Sequence, residues 1–220
     1  MKRTLAIMAV MILAVSFMFS QTIVTSKHNL ASSSTNTIKS TNTNEVCVFC
    51  HTPHSNQATT VLWNRTGSSA TYSVYSSPSM EAAVSQPGSA SKNCLSCHDG
   101  TVAFNSLLNN PGSGVGTAPT MSAASMTGYD SLGTNLTNDH PIGFVYSTHQ
   151  ATDAHLRAAA ATGSKVTVAF GGVTLPLVGT TTANATLECT SCHDPHDGTN
   201  GQFKRVANTA SQMCFTCHNK

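Results

Sequence analysis

The sequence predicts a mostly irregular, loop-rich fold with short helices and one small β-hairpin, at about residues 165–178, and three observations predict it. Only 9% of the 220 residues are charged and 6% aromatic, so large side chains for an ordinary core are scarce. Two long stretches, residues 21–44 and 105–139, are dominated by small and polar residues and carry no clear helical or strand period. All eight cysteines fall into one five-residue pattern, Cys-x-x-Cys-His, repeated four times.

Taken in chain order, residues 1–20 read as a secretory signal peptide, with Lys2 and Arg3 ahead of an apolar stretch from Leu5 to Val15 that is too short to span a bilayer comfortably. Cleavage is expected after Ser20 or Ser26, and no transmembrane segment is expected thereafter. With Lys2 and Arg3 removed, nine basic residues face nine acidic ones, which argues against nucleic acid as a partner. Residues 21–46 form a polar N-terminal arm, too poor in apolar surface to order by itself. A first unit, 47–104, holds two of the cysteine motifs, and a second, 189–220, holds the other two. The connecting region, 105–188, is expected to contain a short helix over Ala154–Ala161, capped at Asp153 and stopped at Gly163. The hairpin follows, turning at Gly171-Gly172 between runs of alternating apolar residues, and serves as a brace.

The motifs are Cys47-Val48-Phe49-Cys50-His51, Cys94-Leu95-Ser96-Cys97-His98, Cys189-Thr190-Ser191-Cys192-His193 and Cys214-Phe215-Thr216-Cys217-His218. Two thiols three residues apart add to the two vinyl groups of one haem, and the following histidine then sits under the iron. Neither a disulfide framework nor a zinc site of four thiolates explains why histidine follows every pair. The expected cofactors are therefore four covalently bound haem c groups, attached at Cys47/Cys50, Cys94/Cys97, Cys189/Cys192 and Cys214/Cys217, with His51, His98, His193 and His218 as proximal ligands. The loop-rich chain becomes a shell wrapped around four porphyrins, a multihaem cytochrome fold whose stability is coupled to the cofactor.

Function depends on the other axial position, since a second ligand closes the iron and an open position admits substrate. Six histidines lie outside the motifs. His54 and His196 each follow a proximal histidine by three residues, in His51-Thr52-Pro53-His54 and His193-Asp194-Pro195-His196, and would serve a haem alongside rather than their own. His140, in the turn Asp139-His140-Pro141-Ile142-Gly143, and His28, in the polar arm, complete a distal set of His28, His54, His140 and His196. His149 and His155 are reserve distal candidates and otherwise ordinary polar residues. Ligation by Met80, Met121 or Met126 is unnecessary with so many histidines, and Met213 is too close to Cys214 to cross its own haem. Bis-histidine iron throughout implies low-potential electron carriers and no catalytic residues; the chain is not expected to be an enzyme.

Ser26-Lys27-His28-Asn29, the segment Val48–His54, Cys97-His98-Asp99-Gly100-Thr101-Val102, the turn Asp139–Gly143 and Cys192-His193-Asp194-Pro195-His196 resemble the doubled-motif multihaem cytochromes of metal-respiring microbes. Four haems in this length are similar to the tetrahaem OmcE-type cytochromes, which polymerise into extracellular filaments. The resemblance implies distal ligands at His28, His54, His140 and His196, a homopolymeric filament of continuous haems, and secretion to the cell surface. Other cytochromes or extracellular metal oxides would be donors and acceptors. An axial histidine donated between subunits, from the arm bearing His28 or from a reserve histidine, is a further expectation. A soluble periplasmic electron shuttle is the alternative, and a multihaem reductase would need an open haem.

Overall fold

The computed structural model describes residues 23–52 and 62–219. The signal segment 1–20 and His54 lie outside the described residues. The regular elements are short: helices α1 (Ser89–His98), α2 (Tyr146–Gln150), α3 (Cys189–Cys192) and α4 (Gln212–Cys217), and strands β1 (Ser73–Val74), β2 (Asn135–Leu136), β3 (Phe144–Val145), β4 (Ala160–Thr162), β5 (Lys165–Phe170), β6 (Val173–Leu177) and β7 (Thr186–Leu187).

Strands β4, β5 and β6 form an antiparallel sheet in that order, with Val168 opposite Leu175 in the hairpin. Its turn is Gly171-Gly172, at φ 60° and 80°, and two successive positive φ values match the right-handed twist of the strands. Alternation buries Val166, Val168, Leu175 and Leu177 on one face. That face meets Phe144, Tyr146, Ala185 and Leu187 in the main apolar cluster, with Leu156 and Cys217 at its margin. The guanidinium of Arg157 lies 3.4 Å from the Phe170 ring centroid, and its Nε donates to the Phe215 carbonyl at 2.9 Å, so the sheet is fastened to α4.

The helix expected over 154–161 is absent, and the reason is tertiary. Leu156 forms a β-bridge with His218, Arg157 N–H donates to the Cys217 carbonyl at 2.8 Å, and Asn219 N–H donates to the His155 carbonyl at 2.7 Å. Its end, 160–162, is strand β4. Asp153 caps only a local turn, through the His155 N–H at 2.8 Å. Alanine-rich propensity, a few tenths of a kcal/mol per residue, gives way to these long-range bonds. The short helix of the connecting region is instead α2, just upstream.

The rest is stitched by polar groups. Residues 39–41 pair with 120–122 through Thr41 N–H to Thr120 O and Ser122 N–H to Lys39 O, both 2.8 Å, around the bridge Ser40–Met121. A second, smaller cluster contains Tyr72, Leu95 and Leu136, where β1 and β2 pair in parallel.

Candidate haem sites

In every cysteine motif the backbone makes a turn that brings its residues to one side. His51, His193 and His218 donate their N–H to the carbonyls of Cys47, Cys189 and Cys214 at 2.8, 3.0 and 2.9 Å, and the second motif is the last turn of α1. Residues three and four apart share a helical face, so both thiols and the histidine emerge together. None of the eight cysteines is in a disulfide. Glu188 starts α3 with a reciprocal cap, its carboxylate taking the Ser191 N–H and its own N–H bonding Ser191 Oγ.

The thiols of successive motifs lie near one another. Burial pushes the Cys50 thiol up to about 12, with Cys97 adding to the rise. Cys94 and Cys189 share a hydrogen bond, which holds Cys94 up and draws Cys189 down to about 7. Burial likewise raises Cys192 and, to about 11, Cys217, each with the other's neighbourhood contributing. The attachment points therefore follow one another in space in the order first, second, third, fourth.

The histidines come together in pairs. His28 lies opposite His98 with ring centroids 6.1 Å apart, His196 opposite His51 at 6.0 Å, and His140 opposite His218 at 6.2 Å. Each pair joins a motif histidine to one outside the motifs. Two metal–imidazole bonds of about 2 Å, plus the half-width of each ring, put coaxial rings about 6 Å apart. The interplanar angles of 66°, 22° and 65° are no obstacle, because imidazoles rotate about a shared metal axis. Nδ1 is occupied by a carbonyl in three of these rings and in that of His193: His98 by Asp130 O, His193 by Gln202 O and His140 by Pro141 O, each at 2.9 Å, and His28 by Pro195 O at 3.3 Å. Such bonds fix the tautomer and turn Nε2 toward a metal. The thiol and imidazole donors present thus fit the group, and a cavity of about 300 Å3 opens beside Cys47 and His51, lined by Val48, Asn64 and Asn109.

The remaining histidines are arranged otherwise. His149, in α2, sets its ring edge against Phe144 at 5.4 Å, and His155 is exposed. Burial, the largest influence, lowers His28 below the usual imidazole range, which keeps it neutral and able to ligate.

Sequence reasoning missed what supports these rings. Phe203 stacks on His28 at 4.1 Å, and Gln202 and Phe203 adopt left-handed φ values of 49° and 55°. That strained turn serves two sites, giving a carbonyl to His193 and a ring to His28. The unusual backbone leaves no mark in the sequence beyond the preceding Gly201.

Among the described residues no helix is long and apolar enough to cross a membrane. No curated protein matches the chain. Residues 182–220 match the family model described as the doubled CXXCH motif, and with the same pattern recurring at Cys47 and Cys94 this supports a multihaem c-type cytochrome holding covalently bound haem c.

Proposed function

We propose that the chain carries four bis-histidine haem c groups and transfers electrons along them without catalysing a reaction of its own. The observation that carries this is the set of three histidine pairs at 6.0, 6.1 and 6.2 Å. In this reading His196 closes the iron over His51, His28 that over His98, and His140 that over His218. His54 is left for His193, so the first and third sites exchange ligands across the two halves of the chain. When bound, each haem supplies a reversible Fe(III)/Fe(II) couple. The protein positions both imidazoles, meets Nδ1 of His28, His98, His140 and His193 with backbone carbonyls and denies small molecules an open coordination position. Attachment sites adjacent in chain order suit stepwise transfer from one end to the other.

The chain acts outside the cytoplasm, where haem c is attached, and in the extended reading its protomers stack into an extracellular filament. Against a shared axial histidine stands the 6.1 Å separation of His28 from His98 of the same chain, so stacking would rest on contact between terminal haems. The same self-sufficiency favours a second reading, a periplasmic shuttle that works as a monomer. Electron microscopy of protein secreted by an expressing host decides between them: polymers support the filament, and uniform monomers at high concentration support the shuttle. Electron transfer itself is tested by a reductive titration, which should consume four electrons per chain.

A further inference from the structure

Among the described residues, two buried charges without counter-ions lie along the string of attachment sites. Arg65 is 2% exposed and has no carboxylate within salt-bridge distance among the described residues. Its guanidinium donates to the carbonyls of Phe104 at 2.8 Å, Ala103 at 2.9 Å and Ser96 at 3.2 Å, while its Nε meets no acceptor among the described residues. Ser96 lies inside the second motif, and Arg65 draws the Cys50 and Cys97 thiols downward against the effect of burial. Arg65 therefore stands at the junction of the first and second sites.

Glu188 is also 2% exposed. Its carboxylate accepts from Gly88 N–H at 3.2 Å, from the Ser91 hydroxyl and from the Ser191 N–H. Ser91 Oγ in turn accepts the Cys189 N–H at 3.0 Å, so the acid sits where α1, carrying Cys94, meets α3, carrying Cys189. A methyl group at Gly88 would collide with the Glu188 carboxylate, which makes this a tailored seat for the acid. Glu188 therefore stands at the junction of the second and third sites. Other charges nearby are compensated or shared: Arg205 pairs with Asp194 at 3.0 Å, and Asp99, beside the second motif, takes hydrogen bonds from Tyr72 and Thr101.

Reduction of a haem adds one negative charge, and a buried charge acts on it through a low dielectric. We propose that Arg65 and Glu188 set an electrostatic slope along the chain, Arg65 raising the potential at the first site and Glu188 lowering it at the third, with the second feeling both. The first electron accepted then rests toward the N-terminal end. Both residues act through the haems as positioning charges, and the inference rests on the four-haem reading above.

The test is a spectroelectrochemical redox titration of the haem-loaded protein. Arg65→Gln should move the highest-potential component down, Glu188→Gln should move the lowest-potential component up, and each should narrow the titration. Arg65→Lys, which keeps the charge, should restore the original curve. Absence of covalent haem by mass would sink the four-haem reading itself. Four haems with curves unmoved by Arg65→Gln or Glu188→Gln, or moved in the opposite sense, would overturn the slope alone. If Arg65→Gln fails to load four haems, the direction of the Glu188→Gln shift decides.

Discussion

The sheet β4–β6 and the N-terminal arm are built on opposite principles. The sheet buries Val166, Val168, Leu175 and Leu177 and meets a cluster of aromatic and aliphatic side chains. The arm buries Asn29, Ser34, Ser40 and Thr43, and is held by bonds such as Asn36 Nδ2–H to the Ser26 and Asn29 carbonyls at 2.8 and 3.0 Å. Apolar burial stabilises a folded segment by about 25 cal/mol per Å2, whereas a neutral hydrogen bond exchanged for one to water contributes only about 1 kcal/mol. The sheet has its own reason to fold, and the arm needs a further one. In the proposed reading a haem closed by His28 would provide it, because ligating His28 would tie the arm to α1.

The largest expected effect breaks the molecule along this line. With all eight cysteines replaced by alanine, amides of residues 165–177 should retain hydrogen-exchange protection while those of 23–46 lose it; uniform loss would show that the sheet also depends on haem. Next, His196→Ala should leave the iron over His51 open, so that the reduced protein binds one equivalent of carbon monoxide, read in its absorption spectrum. Within the sheet, Leu175→Ala should cost about 2–5 kcal/mol in denaturant unfolding, by lost burial and the cavity left behind. A change of that size at Ser34 would contradict the contrast.

The smallest effect concerns Asp99. Burial alone would raise its carboxyl, but bonds from Ser68, Thr101 and Tyr72 outweigh burial and hold it below the usual carboxylate range. A depressed folded value stabilises above the unfolded pKa, and that contribution disappears as pH falls through the folded one. Tyr72→Phe removes the donor at 2.7 Å and should cost about 1–2 kcal/mol at neutral pH, a difference that shrinks on acidification.

The same contrast explains what is legible in the sequence. The hairpin is legible because Gly171-Gly172 between alternating residues is a local signal, decided within a short stretch of chain. The motifs are legible because the chemistry of thioether attachment fixes their spacing. The 154–161 segment misleads because its conformation is imposed by Cys217 and Asn219, far along the chain. Which histidine meets which motif lies beyond local reading, since His51–His196 and His28–His98 depend on how the halves fold together. Arg65 and Glu188 give no signal at all: a single arginine and a single glutamate in polar sequence say nothing of burial.

Whether every iron is closed by two histidines is decided by adding carbon monoxide to the fully reduced, four-haem protein. Closed irons leave the Soret spectrum unchanged at saturating gas, whereas a carbonyl complex at one full haem equivalent would reveal an open coordination position.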